Sequence, residues 1–311
     1  MWKIYLAWTL TIDLKMKMEN FMRKNIIFAF VFFSIWCGSA SAQTGRVMDP
    51  IADWSAITSI LKDDSISPDW RDAQGYSAAY YQLLYGSERH AATIISRSKK
   101  RGEWREGTNG SLLELAIYQH SALVVEALIK HENHGIRHES TFAKSLQLAA
   151  RLGEYEVVRL LLHAGADGYC RNCIGDAPVA EALRNGHWKL VLLMKDLKVD
   201  VDSYKRLPYQ GELVFRAIDG RSLDGLMLLR QLGFDLANVE NSSGLFPVAY
   251  ALQENIDAEG DREFLLSQAN FCRINSRGQR ILEQVTNIRW LSSEKPPYWL
   301  DRIKTETERC R

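Results

Sequence analysis

Between Phe142 and Asp167 apolar residues recur at helical spacing in two short blocks. Leu146, Leu148, Ala149 and Ala150 give the first block a narrow apolar face, and the paired alanines let a neighbouring backbone approach closely. Gly153 ends it. Val157, Val158, Leu160, Leu161 and Leu162 then form a stripe too wide for a surface helix standing alone. Gly165 supplies a left-handed stop, and Ala166 and Asp167 lead into a turn. The pattern predicts two antiparallel helices that need copies beside them to bury their faces.

Steps of roughly 33 residues reach those copies. Forward lie G-D-A-P-V-A-E-A-L-R-N-G-H from Gly175, L-V-F-R-A-I-D-G after Gln210 and Gly211 with a stop at Gly233, and G-L-F-P-V-A-Y-A-L from Gly244. Backward, Leu113, Leu115, Ala116, Val124, Val125, Leu128 and Ile129 form another copy, and Gly75 to Gly86 begins an earlier one. L-x-L-A-A-x-x-G-x-x-x-V-V-x-L-L-L-x-x-G-A-D resembles the ankyrin repeat, and the resemblance extends from Gly75 to Ile288. It implies an all-α solenoid of stacked helix pairs joined by β-hairpins or turns, with array residues 75–288. An N-terminal half repeat, residues 43–74, and a tail, residues 289–311, are expected to cap the ends.

Other stretches add detail. Tyr76, Tyr80, Tyr81 and Tyr85 crowd the first repeat. The run Arg97, Lys99, Lys100, Arg101 and Arg105 reads as a solvated loop, or alternatively as contact with an acidic partner face. His131, His134 and His138 read as surface histidines rather than a metal site, because Gly135 interrupts the spacing. His187 is expected to tie adjacent repeats. Gly220 and Gly225 lower helix propensity by up to about 1 kcal/mol each, which marks their repeat as the softest. Asn255 stands where a glycine is expected between helices. Trp290, Trp299, Leu300 and Ile303 offer apolar cover for the end of the stack.

Ahead of the array, Met22-Arg23-Lys24-Asn25 precedes an apolar run from Ile26 to Trp36 and then Gly38-Ser39-Ala40-Ser41-Ala42. This reads as a signal peptide, residues 1–42, cleaved after Ala42, with a retained single-span anchor as the alternative and with translation starting at Met22 as an alternative to Met1. The expected product runs from Gln43 to Arg311, without a membrane span, in the periplasm or outside the cell. Its 39 basic and 38 acidic residues argue against nucleic acid as the partner. Cys37 leaves with the leader, so Cys170, Cys173, Cys272 and Cys310 remain. In the ankyrin frame Cys170 and Cys173 flank a hairpin turn, within bridging distance. Cys272 and Cys310 would then close the tail onto the last repeats. Loop entropy assigns roughly 2 kcal/mol to the short bridge and about 4 kcal/mol to the long one.

No G-x-S-x-G, phosphate loop or H-E-x-x-H is present, and no cofactor is implied. The resemblance implies binding of another protein at residues flanking the turn glycine and the end of each first helix. These are Tyr76, Tyr85, Tyr118, Gln119, Arg151, Leu152, Asp176, Arg184, Asn185, Tyr209, Leu245 and Gln253. The reading is therefore an exported, non-enzymatic binding protein that neutralises a toxic enzyme or supports an exported one. The alternative is a thiol-disulfide oxidoreductase using Cys170 and Cys173, and a metal-thiolate role for that pair also stays open.

Overall fold

The computed structural model describes residues 66–99, 104, 106, 111–132, 139–169, 176–206, 211–253, 259–286 and 298–310. All lie in the unit Trp54–Arg311. The expected leader, the N-terminal cap as far as residue 65, the cysteines Cys170 and Cys173, Tyr209, Asn255, Trp290, His134 and His138 fall outside the described residues.

Described residues form fourteen α-helices and no strand. In chain order they are α1 Ala78–Tyr85, α2 Glu88–Arg97, α3 Leu112–Tyr118, α4 Ala122–Glu132, α5 Glu139–Leu152, α6 Tyr155–His163 and α7 Pro178–Arg184. They continue as α8 Trp188–Asp196, α9 Glu212–Asp219, α10 Leu223–Gln231, α11 Pro247–Gln253, α12 Glu259–Gln268, α13 Ile281–Thr286 and α14 Tyr298–Glu308, with a 3-10 turn at Val201–Lys205. Helices this short are marginal alone in water and depend on packing. Among the described residues, no helix is long and apolar enough to cross a membrane.

The helices pair consecutively, and the pairs stack in two rows. α3, α5, α7, α9, α11 and α13 each pack on the next in one row, while α2, α4, α6, α8, α10 and α12 do so in the other. Alanines make the first row close. Ala116, Ala149, Ala150, Ala180, Ala182, Ala217 and Ala249 are all fully buried. Second-row helices fill the space beneath with larger groups such as Val157, Val158, Leu161, Leu190 and Leu229.

Turns recur with the pairs. The left-handed residue between first and second helix is His120, Gly153, Gly186 and Arg221 in successive units, and the stop after the second helix is Gly165, Lys198 and Gly233. Before the helix pairs, Asp72, Asn241 and Asn275 each accept backbone N–H bonds from residues two and four further on. These connections are turns. An isolated antiparallel bridge joins Arg71 to Ser77.

Units are tied by side chains that reach about one period along the chain. The His187 imidazole donates from Nε2 to the Arg151 carbonyl at 3.2 Å, capping the end of α5. A Cβ at Gly153 would lie 2.7 Å from that ring, so glycine leaves the space His187 occupies. Gly220 and Gly225, the two glycines expected to soften their unit, stand in close surroundings. A Cβ on Gly220 would stand 2.2 Å from the Leu183 carbonyl oxygen, and one on Gly225 would stand 2.9 Å from Ser222 Oγ. Gly220 thus permits the close approach of two units, and Gly225 makes room for the Ser222 side chain that caps its own helix.

At the C-terminal end Trp299 and Ile303 of α14 are buried, and a disulfide joins Cys272 to Cys310 with Cα atoms 5.3 Å apart. Ile66 and Trp70 pack against the core at the other end.

Candidate protein-binding face

α3, α5, α7 and α9 each stop one or two residues before a left-handed residue, so their final side chains come at equivalent places in successive helix pairs. Tyr85 ends α1, Tyr118 ends α3, Arg151 and Leu152 end α5, Arg184 ends α7, Asp219 ends α9 and Gln253 ends α11. Tyr85 and Tyr118 are 43% and 55% exposed. Gln119, Arg151, Arg184 and Asn185 are also exposed, whereas Leu152, Leu245 and Gln253 are half-buried. Basic residues in the last turns of α5, α7 and α9 face the negative ends of their helix dipoles, a favourable placement.

Tyr76 does not belong to this series. It is 3% exposed, and its ring lies 4.6 Å from that of Tyr80 within a cluster that includes Tyr81. It immediately precedes Ser77, whose hydroxyl caps α1 by accepting from the Tyr80 amide, so the chain turns inward there.

Charged side chains link the helix ends into a continuous ladder. Arg151 on α5 donates from Nε and Nη2 to the two Glu181 oxygens on α7, each at 3.3 Å. Asn185 donates to the Glu181 carbonyl at 2.9 Å and holds the carboxylate from the other side. Asp176 receives Arg184 at 3.0 Å on one oxygen and Arg216 of α9 at 2.7 Å on the other. Arg216 also donates to Asp219 at 3.1 Å, and Asp219 accepts the Tyr250 hydroxyl of α11 at 2.6 Å. The Tyr250 ring meets Phe215 edge-on at 5.3 Å.

Burial decides what these pairs are worth. Glu181 and Asp176 side chains are 7% and 13% exposed, so each guanidinium compensates a carboxylate largely removed from water. Burial, followed by the Asp176 charge, holds the nearby Glu212 carboxyl above the usual range, against the pull of Arg216. The ladder thus fixes arginine side chains in place, lowering the entropy a partner would otherwise have to remove.

Tyr85, Tyr118, Gln119, Arg151, Arg184 and Asn185 are exposed at or just past the ends of successive first helices. Glu181, Arg216, Asp219 and Tyr250, which complete the ladder, were not expected from the sequence; the signal available there was the recurrence of charge at the same end of successive first helices. Among the described residues, no group of three or more His, Cys, Asp or Glu could hold a metal ion.

No family model matches the chain. A stretch of 75 residues is 36% identical to the probable E3 ubiquitin-protein ligase XBOS33 of Oryza sativa subsp. japonica, covering 24% of this chain and 14% of that protein. A stretch of 77 residues is 35% identical to the E3 ubiquitin-protein ligase XBAT33 of Arabidopsis thaliana, covering 25% of this chain and 15% of that protein. The chain thus spans 14 to 15% of the length of these curated relatives. Each similarity is as long as about two repeat periods of 33 residues.

Proposed function

We propose that this chain is an exported ankyrin-repeat protein, without catalysis of its own, that binds another protein through the edge formed by the ends of its first-row helices. The observation carrying this reading is the aligned series Tyr118, Arg151 and Arg184, exposed on successive helices and backed by the Glu181 and Asp176 carboxylates. Tyrosine and arginine concentrate binding energy at interfaces, and here they are arrayed on a rigid repeat. The recurring left-handed turns support the ankyrin reading. Local similarity to parts of two E3 ubiquitin-protein ligases supports a shared repeat segment, while their ligase action belongs to those proteins. A Cys272–Cys310 bond supports an oxidising compartment, in keeping with the leader read from the sequence. The partner is an exported protein, either a toxic enzyme that is neutralised or an enzyme that is supported.

The test is affinity capture with the tagged chain and with a Tyr118→Ala, Arg151→Ala, Arg184→Ala variant, both followed by thermal melting. A stoichiometric partner held by the parent and lost by an equally folded variant supports the reading, and its identity separates neutralisation from support. A partner held equally by both, or none at all, overturns it.

A further inference from the structure

The second row carries a different surface. At the fifth position of its helices stand Glu126 in α4, Arg159 in α6, Leu192 in α8 and Met227 in α10, whereas α2 has Ala92. The missing bulk leaves a groove of ≈ 820 Å³ between α2 and α4. Ala92 and Ala127 are half-buried in its floor, and Leu123 stands 39% exposed beside them.

Its rim is basic. Arg89 comes from α2, Lys99 from the residues following it and Lys130 from α4, all exposed. Against these three cations the described residues lining the groove include one carboxylate, Glu126, and Lys130 already lies 2.7 Å from it. His131 closes one end. Its Nε2 donates to the Ser98 carbonyl at 3.2 Å, and the Trp104 indole N–H points at its Nδ1 at 3.5 Å, which holds the ring in place at that end. This local excess of positive charge occurs in a chain whose overall charge is only +1.

We propose that the α2–α4 groove is a second docking site, for an acidic segment of a partner protein that inserts apolar side chains over Ala92 and Ala127 and sets carboxylates against Arg89, Lys99 and Lys130. The aliphatic floor favours a peptide over nucleic acid, which single-strand binders hold on aromatic stacking platforms. An amphipathic helix laid in a groove uses this combination of an apolar floor and a charged rim. The site lies on the opposite row from the Tyr118 edge and does not depend on it.

The probe is a fluorescein-labelled synthetic peptide of Glu and Leu at helical spacing, titrated with the full chain and read by fluorescence anisotropy. The expected result is saturable binding that weakens about tenfold or more in Arg89→Glu, Lys99→Glu. Arg89→Gln, Lys99→Gln should weaken it less, Leu123→Asp should weaken it too, and Tyr118→Ala should leave it unchanged. Affinity should also fall as salt rises from about 50 to about 500 mM. Melting curves matching the parent establish that each variant is folded. Absence of binding, or binding indifferent to charge reversal at Arg89 and Lys99, overturns the site. So does equal binding of the peptide with Lys in place of Glu, or tighter binding of a single-stranded oligonucleotide through the same residues.

Discussion

At Gly220 the main chain of α9 comes so close to the end of α7 that a methyl group would meet the Leu183 carbonyl oxygen at 2.2 Å and the Arg184 carbonyl oxygen at 2.9 Å. Alanine would gain up to about 1 kcal/mol of helix propensity there. Overpacking costs roughly 1–3 kcal/mol, and the obstacle here is backbone, which cannot turn aside as a side chain can. Gly220→Ala is therefore expected to lose about 2 kcal/mol net, measured by urea unfolding. Stability equal to or above the parent would show that the units separate at that point at little cost.

Asp261 poses the opposite problem, a charge with too little support. It is 3% exposed, its Oδ2 has no hydrogen-bond partner, and burial raises its carboxyl above the usual range. The folded protein therefore holds this proton at pH values where the unfolded chain has released it. The associated stability is present at low pH and is lost as pH rises from the ordinary carboxylate range through the folded value. Asp261→Asn should raise the melting temperature at neutral pH and flatten its dependence on pH over that window. A variant less stable than the parent at pH 7 would mean that the carboxylate is stabilised when ionised.

Among the elements, α14 is the one whose place depends most on a covalent tie. Trp299 and Ile303 bury against α13, but the helix returns across a sequence separation of 38 residues from Cys272 to Cys310. Closing a loop of that length is worth about 4 kcal/mol by chain entropy. Because α13 and α14 pack on each other and α13 packs on α11, the loss should stay local. Replacing both cysteines by serine is expected to raise hydrogen exchange in α13 and α14 and expose Trp299 to quenchers, while α5 to α8 keep their protection. Uniform loss of protection along the array would contradict this nearest-neighbour behaviour.

The whole molecule was legible in the sequence where repetition could be counted. Gly153, Gly165 and the apolar blocks around them define one unit, and counting from its turn places Tyr118, Arg151 and Arg184 at equivalent helix ends. Contacts set by lateral spacing were not legible. Asp176 and Arg216 meet only because α7 and α9 lie side by side, and Gly220 reads as a weak helix residue until Leu183 is seen against it. Tyr76 looks like its exposed neighbour Tyr85, yet differs in lying just ahead of a capped helix start. The α2–α4 groove likewise required the register that aligns Ala92 with Arg159, Leu192 and Met227.

The Cys272–Cys310 bond also determines how the molecule answers a mechanical load. Tension applied at Arg311 passes through Cys310 directly to Cys272, so the residues between them are bypassed and α14 bears none of it. In single-molecule pulling the oxidised chain should come to full extension short by the length of that segment, about 130 Å at roughly 3.4 Å per residue. A reducing buffer should release this hidden length. The segment would then extend as the first element of the chain to yield, ahead of the repeats it covers.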